Sequence, residues 1–401
     1  MHFNQKYLQP NRIHRQRGIS SMVFSLVLLL LITMVSIFTG KTVSLERKIM
    51  NNDNRSKMAF NYAEAGIADA IAYLDNDPDV DGDGNVDPVY DTDNDGVGDT
   101  NTATIGTGSV TVVTTDVSGG NMSAIQIEAT GLSDDSTATR TIVLTASTIN
   151  PLGNGPEVPL VTRGNVIISG SATVTNPEGH HTIWSGDSID LGSNNSTATN
   201  VADFSDANYP GCMDTPLTCN TVSSSNKTTI GLDVIENDSS LSGLSLPDFF
   251  ENTFGINPTA YRNTSVTLET TAANANNDLD LATNEVVWVE GDTTFENNTT
   301  VGCESQVNGG NVCPANNQNP SIVIINGDLT MDGTPHIYGL LFVLGNVNLT
   351  GNATVYGSMV VAGSATSTGG GSLDIIYHSD LLNDLTTIGP LAAASGTWRD
   401  F

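Results

Sequence analysis

Residues 15–47 read RQRGISSMVFSLVLLLLITMVSIFTGKTVSLER, a basic leader that runs directly into a long apolar segment. The 22 residues at positions 19–40 include no charged side chain. As an α-helix, at about 1.5 Å per residue, they extend roughly 33 Å, which is enough to cross a bilayer core of about 30 Å. A helical pattern then continues to about Leu74. The sequence therefore predicts one long helix, apolar in its first half and amphipathic in its second.

Two other interpretations compete for the apolar segment. A secretory signal peptide has an apolar core of only about 7–15 residues, followed by a small-x-small cleavage site. The run at 19–40 is longer than that, and residues 38–42 (FTGKT) match such a site poorly. A plain single-span anchor explains the run and the basic flank equally well. It does not explain why the small residue Gly18 lies directly between Arg17 and the first apolar residue.

The N-terminal residues resemble the PilX-type minor pilins of type IV pilus systems. The resemblance covers about 60 of the 401 residues and rests on residues 15–18 (RQRG), 26–31 (LVLLLL), 44–50 (SLERKIM) and 59–65 (AFNYAEA). It implies that a prepilin peptidase cuts after Gly18 and that the new amino group of Ile19 is methylated. It also implies that the helix leaves the bacterial inner membrane to pack among other pilin and minor pilin subunits in an extracellular pilus.

One position departs from the pattern of the major pilins. Most of these carry Glu at the fifth mature position, where it compensates the charged amino terminus of a neighbouring subunit. Here that position is Val23. A subunit without this carboxylate suits a filament tip or a priming complex better than the repeating shaft.

The charge distribution predicts export of the long C-terminal part. Residues 1–58 hold nine of the 14 Lys and Arg, and the remainder has five basic and 42 acidic residues, a formal charge of −37. Basic residues before the span place the leader in the cytoplasm and the acidic part outside. So acidic a surface repels nucleic acid and attracts cations, so we expect no nucleic-acid partner.

The four cysteines form two close pairs in the sequence, Cys212 with Cys219 and Cys303 with Cys313. Four cysteines allow three connectivities, and short local loops are the simplest in an oxidising compartment. A zinc site is the alternative, but it favours C-x₂-C knuckles over the C-x₆-C and C-x₉-C spacings found here. We therefore predict two disulfides.

Two tandem Asp-rich loops follow the helix and have the spacing of a calcium site. Each fits D-x-D-x-D-G-x-x-D, in which carboxylates at positions 1, 3 and 5 face a hard cation and glycine makes the turn. Position 12 is Tyr90 or Thr102 instead of the Glu of an EF-hand, which predicts weak structural Ca²⁺ binding, roughly 10⁻⁴ to 10⁻³ M. The alternative is an acidic linker that stays extended without cations. The predicted ligands are Asp79, Asp81, Asp83, Asn85, Asp87, Asp91, Asp93, Asp95, Val97 and Asp99.

The region after the loops is rich in residues that favour strands. Residues 109–113, 123–129 and 140–146 partly alternate apolar and polar side chains between turn-forming segments, which predicts a small antiparallel meander packed on the exposed half of the helix. Residues 149–157, with two Pro and two Gly, read as a linker.

The C-terminal region carries an internal repeat. Eight glycines stand at a constant step of six from Gly327 to position 369, and the third and fifth residues of each hexad are mostly apolar. Apolar residues two apart face the same side of a strand, so three hexads predict one 18-residue coil of a parallel β-helix. Similar fragments predict early coils near 160–192 and 286–296, separated by an Asn/Ser/Thr-rich segment with one weak helical candidate at 244–254.

An enzymatic β-helix is the main functional alternative, and the sequence gives it little support. Residues 264–398 contain no Lys or Arg, one of which calcium-dependent lyases use as base. Asp328 and Asp332 could form the carboxylate pair of a hydrolase, but Asp at such a turn is more often a solvated turn residue. Four of the six histidines, at 180, 181, 336 and 378, lie in the exported part and follow no partner pattern, and no hydrolase or phosphate-loop motif is present.

We therefore predict a non-enzymatic α+β subunit of a type IV pilus that primes assembly or presents an adhesive head, with a possible glycan or surface ligand. An envelope protein that never enters a filament is the alternative from a different class. The predicted organisation is a leader at 1–18, a pilin-type helix at 19–75, calcium loops at 76–100, a small antiparallel sheet at 101–150 and a β-helix-like head at 151–401 with an insertion at about 193–285.

Overall fold

The computed structural model describes residues 17–76, 101–105, 107–117, 124–193, 197–201, 221–296, 298–303, 319–367 and 371–401. Within these ranges the chain is α+β: one long N-terminal helix is followed by a body made mostly of strands. The predicted calcium loops lie outside the described residues.

The N-terminal helix α1, Arg17–Asn76, is 60 residues long and has no break. The side chains at 21–53 are exposed without exception, whereas small residues of the second half are buried: Ala59, Ala63 and Ala70 have no exposed surface. The predicted division of the helix is thus present. The apolar half, residues 21–53, is exposed along its whole length and is called the free half, and the amphipathic half that follows is called the packed half.

The packed half of α1 lies on a six-stranded antiparallel sheet. Its first four strands contain the three predicted ones, and alternate residues such as Ile125, Ile127 and Ala129 face the helix and are buried. The turn predicted between Leu132 and Thr137 is also present, and the Ser133 N–H donates across it to the Ala138 carbonyl at 3.0 Å. These strands are β1 Asn101–Ile105, β2 Gly108–Asp116, β3 Ala124–Leu132 and β4 Thr139–Thr148.

Helix and sheet approach each other closely because glycine occupies the contact points. A Cβ on Gly131 would lie 2.0 Å from the carbonyl oxygen of Ala59, and one on Gly66 would lie 2.6 Å from a methyl group of Val110. Neither position leaves room for a side chain, so this docking depends on the absence of one.

The head begins after β4 and is built from two sheets of mostly parallel strands, and most of its short helices pack on the outer face of the larger sheet. Its helices are α2 Ser239–Ser242, α3 Leu246–Phe254, α4 Pro258–Thr264, α5 Ala275–Asp278 and α6 Ser379–Asp384. Its strands are β5 Leu160–Thr162, β6 Val166–Ile168, β7 Ser171–Asn176, β8 Ile183–Ser185, β9 Ile189–Asp190, β10 Thr197–Val201, β11 Thr221–Ser224, β12 Val234–Ile235, β13 Leu268–Thr271, β14 Val286–Glu290, β15 Thr293–Phe295, β16 Thr300–Val301, β17 Ser321–Asn326, β18 Leu329–Met331, β19 His336–Val343, β20 Val347–Leu349, β21 Ala353–Val361, β22 Ala365–Ser367 and β23 Ser372–Ile376.

The repeat read from the sequence appears as a constant register. Leu340 of β19 pairs with Ile322 before it and with Ser358 after it, so partners lie 18 residues apart. The second sheet has the same step, because Val347 pairs with Leu329 and with Ala365. Inward side chains of both sheets form one apolar core.

The order of the strands in space differs from the predicted order of coils. The early segment does not stack on the strands at 286–296: β5 and β7 pair instead with β21 and β23, near the C-terminal end of the repeat. The strand β21 therefore lies in the middle of its sheet, with β19 on one side and β23 and β5 on the other. Parallel pairing is non-local, so the periodicity fixes the spacing of partners but not the order of segments.

The described parts of the segment at 193–285 form both ends of the larger sheet and also cover its outer face. The weak helical candidate forms α3, capped by Ser245 and ended by the left-handed Gly255. Phe250 of α3 packs against Phe342 and Trp288, with ring centroids 5.2 and 6.3 Å apart.

The chain returns to the first sheet at its C-terminus. Strands β24 Leu391–Ala393 and β25 Arg399–Asp400 both pair antiparallel with β4. The Ile149 N–H donates to the Pro390 carbonyl oxygen at 2.9 Å, where the chain leaves for the head and comes back. The head therefore ends near residue 390 and not at 401 as the sequence suggested, because residues 391–401 complete the small sheet.

Candidate functional site

The first candidate site is the free half of α1, which offers an apolar surface along its length. One helix of the described chain, at Ser21–Leu74, is long and apolar enough to cross a membrane, and its most apolar stretch has no buried residue. Several of its hydroxyl groups donate to backbone carbonyls of the preceding turn: Ser25 donates to the Met22 carbonyl at 2.9 Å and Thr39 to the Val35 carbonyl at 2.9 Å. Hydroxyls bonded in this way suit an apolar environment.

Polar contacts hold α1 on the sheet where its free half begins. Arg55 forms a 2.8 Å ion pair with Asp135, and the Arg140 guanidinium donates to the Ser56 hydroxyl at 2.9 Å. Exposed ion pairs of this kind contribute little energy individually, but they fix the direction in which the free half leaves the sheet.

The predicted processing residues lie at the beginning of α1. Gly18 and Ile19 are both within the helix, which starts at Arg17. Val23, which takes the place of the usual glutamate, is 58% exposed on the free half. Cleavage after Gly18 and methylation of Ile19 stay predictions.

The predicted metal and disulfide residues are mostly outside the described residues. This applies to all ten calcium ligands and to Cys212, Cys219 and Cys313. Cys303 is buried and disulfide-bonded, while the predicted pairings stay predictions. Among the described residues no group of three or more His, Cys, Asp or Glu could hold a metal ion.

Asp328, one of the two carboxylates considered for hydrolysis, accepts a backbone hydrogen bond that supports the fold. The Oδ1 atom of Asp328 accepts from the backbone N–H of Asn346 at 2.7 Å, and Asn346 Oδ1 accepts from the N–H of Ser364 at 3.0 Å. Asp292 does the same for Asp328 at 2.9 Å. These side chains form a ladder along one corner of the head. Each accepts a hydrogen bond from a backbone N–H that lies 18 or 36 residues further along the chain.

Of the histidines, His378 has the most defined position. It caps α6 through Nδ1, which accepts from the Leu381 N–H at 3.5 Å, so the imidazole acts there as an acceptor. Burial lowers the pKa of His378, with the charges of Glu178 and Asp380 opposing that shift. Helix α6 in turn covers the stacked rings of Tyr338 and Tyr356, whose centroids are 4.7 Å apart.

A cleft of about 400 Å³ on the outer face of the head is a site that sequence reasoning missed. Its floor is formed by outward side chains of successive strands, Val360, Val161, Trp184 and Ile235, and helix α3 and residues 154–158 form its walls. These segments are far apart in the chain and become neighbours only through the unexpected strand order. No local motif could have revealed them.

The helix α1 is unbroken and has a free, apolar half and a packed half. The packed half docks on an antiparallel sheet, and this sheet carries a larger head made mostly of strands. This architecture is pilin-like. The comparison with protein families agrees: residues 17–68 match the family described as PilX N-terminal. The resemblance to PilX-type minor pilins is thus confirmed for the N-terminal helix.

A second family model matches part of the head. Residues 304–371 match a domain of unknown function, DUF8470. Among solved structures, the competence-associated pilin ComZ from Thermus thermophilus is similar at 11% identity and a TM-score of 0.25, over 87% of this chain and 98% of that one. No curated protein matches.

Proposed function

We propose that this protein is a minor pilin-like structural subunit of a type IV pilus, which primes assembly, presents an adhesive head, or both. The observation that carries the proposal is the free, apolar half of α1 within a segment that matches the PilX N-terminal family. A helix with 0% burial over its most apolar window needs an apolar partner, which is lipid before assembly and other pilin helices afterwards.

In the proposed subunit the head lies outside the cell and is a parallel β-helix. The constant 18-residue register in two sheets supports one coil per three hexads. In such a fold neighbouring coils satisfy each other's backbone hydrogen bonds, which makes the head stiff. The Asp-rich loops at 79–99 would bind Ca²⁺ and brace the connection between the helix and the small sheet. The proposal includes no catalytic activity.

The deciding experiment is mass spectrometry of the mature amino terminus together with analysis of sheared pili. We expect a chain that begins at methylated Ile19 and copurifies with filaments as a minor component. Gly18→Val should leave the first eighteen residues uncut and remove the protein from the filament fraction. The matched control Ser20→Ala should be processed normally.

Other outcomes would favour the alternatives. A chain that keeps its leader and stays in the membrane fraction would be an envelope protein outside any filament. Recovery as the most abundant subunit of purified pili would contradict the tip or priming role inferred from Val23.

A further inference from the structure

The strongest unassigned feature of the head is the cleft between α3 and residues 154–158. Its volume of about 400 Å³ lies within the range of small-ligand pockets, which are about 300–1,000 Å³. We propose that it binds a neutral pyranose sugar, with the ring packed on Trp184 and the hydroxyls bonded to the polar rim. The inference deepens the proposed function, because it supplies the ligand class of an adhesive head.

The floor of the cleft is suited to the apolar face of a ring. The indole Nε1–H of Trp184 donates to Asp238 Oδ2 at 2.8 Å, which fixes the orientation of the aromatic plane. Asp238 is itself held in place as the N-cap of α2, through a 2.8 Å bond from the Ser240 N–H. Val161 and Val360, both less than 10% exposed, continue the apolar surface beside it.

The walls are held in place before any ligand arrives. The Asn154 N–H donates to the Thr253 carbonyl at 2.8 Å, which ties the loop to α3. At its other end, the Tyr377 hydroxyl donates to the Pro156 carbonyl at 3.0 Å and the Ser358 hydroxyl to the Val158 carbonyl at 2.8 Å. A preformed cleft loses little conformational entropy on binding.

The rim supplies hydrogen-bonding groups of the kind that hydroxyls need. The exposed side chains of Glu157, His181 and Asn252 line the cleft, and the structure gives them no hydrogen bond or ion pair within the described residues. An amide, an imidazole and a carboxylate together can both donate to and accept from hydroxyl groups.

Charge narrows the ligand class. Neither Lys nor Arg is among the described residues that line the cleft, and the chain carries a net charge of −30, so anionic ligands are disfavoured. A quaternary ammonium ion is the rival, since it can bind over an indole ring. Such ligands usually bind in a cage of several aromatic rings, whereas Trp184 and Phe249 are the aromatic residues of this cleft, and Phe249 is 3% exposed.

The test is a titration of the ¹⁵N-labelled full chain in an amphipol that contains neither sugar nor choline. The probes are the methyl pyranosides of glucose, galactose and mannose, and N-acetylglucosamine, compared with glucuronate and choline. We expect at least one neutral sugar to shift the indole N–H signal of Trp184 in a saturable manner. The signal of Trp398, which lies between β24 and β25 and packs near Phe60 of α1, should stay unchanged and serves as an internal control.

Two pairs of variants separate the cleft from general effects. Trp184→Ala should weaken binding about tenfold, whereas Trp398→Ala should not change it. Since Trp184→Ala also removes the bond to Asp238, the exposed Asn252→Ala provides a variant that leaves the fold intact. It should weaken binding several-fold relative to Asn263→Ala, on the exposed surface of α4.

The outcomes decide the inference independently of the filament proposal. Absence of a saturable shift at Trp184 with every neutral sugar, or binding of choline or glucuronate as tight as that of the best sugar, would overturn it. Equal affinities of Asn252→Ala and Asn263→Ala would also overturn it. A chain that binds sugar but is missing from sheared pili would leave the cleft assignment standing and remove only the pilus assignment.

Discussion

Replacement of Gly131 by alanine tests how the pilin-type helix is held on its sheet. The new Cβ would lie 2.0 Å from the Ala59 carbonyl oxygen and 2.6 Å from the Ala63 nitrogen, both atoms of the α1 backbone. The helix would have to retreat by about 1 Å to restore a 3.0 Å contact. Overpacking of this kind typically costs about 1–3 kcal/mol, and here the helix backbone cannot rotate away as a side chain could.

The suitable assay is native-state hydrogen exchange read by mass spectrometry, because it reports on one region of a multipart chain. Gly131→Ala should increase exchange about 5- to 150-fold in the packed half of α1 and in β3, while the head stays unchanged. Gly40→Ala is the matched control, since nothing lies within 4 Å of its Cβ. It should leave exchange in both regions as in the wild type. Equal exchange in the two variants would refute the close-contact argument.

Three further predictions concern the head and the loops. Asp328→Ala should lower the free energy of unfolding of the head by about 1–2 kcal/mol, because it leaves the Asn346 N–H without its 2.7 Å acceptor. In the same chemical denaturation series, the control Asp332→Ala, at the other end of strand β18, should have a smaller effect. Burial lowers the pKa of His378 from 6.5, so the folded state binds fewer protons than the unfolded state below pH 6.5. Its contribution to stability is therefore complete above that pH and declines as the pH falls towards the folded-state pKa. His378→Asn keeps a capping acceptor without titrating, so melting curves between pH 5 and 7 should vary less for this variant than for the wild type, and an unchanged dependence would exclude His378 as a source. Calorimetry should detect Ca²⁺ binding that is lost in the double variant Asp83→Ala, Asp95→Ala, and heat that persists in this variant would remove the calcium proposal.

The parts that the sequence predicts correctly depend on local patterns. The apolar run and the small residues that follow determine α1, since both helix length and buried face can be read at a spacing of 3.6 residues. Strands β2 to β4 follow from alternation between turn signals. The hexad glycines predict the 18-residue register because a repeat fixes the offset between partners wherever they meet.

The parts that it misses depend on contacts between distant segments. Nothing in residues 160–176 indicates that they pair with residues 353–376. Each of these two segments could pair with any strand that has the same alternation of apolar residues. Leu391–Ala393 is too short to be recognised as a strand, and only its partner β4 defines it. The cleft combines both difficulties, because its floor exists only once β5 lies between β21 and β8.

The pairing of Leu391 with Thr148 gives this chain a modular character. The two ends of the 240-odd residues between them are neighbours across one strand pair, about 5 Å apart as in any antiparallel ladder. A cassette with adjacent ends can be exchanged or lengthened without disturbing the host domain. The pilin-type helix with its sheet and the inserted head can therefore diverge at different rates, which fits the separate family matches at residues 17–68 and 304–371.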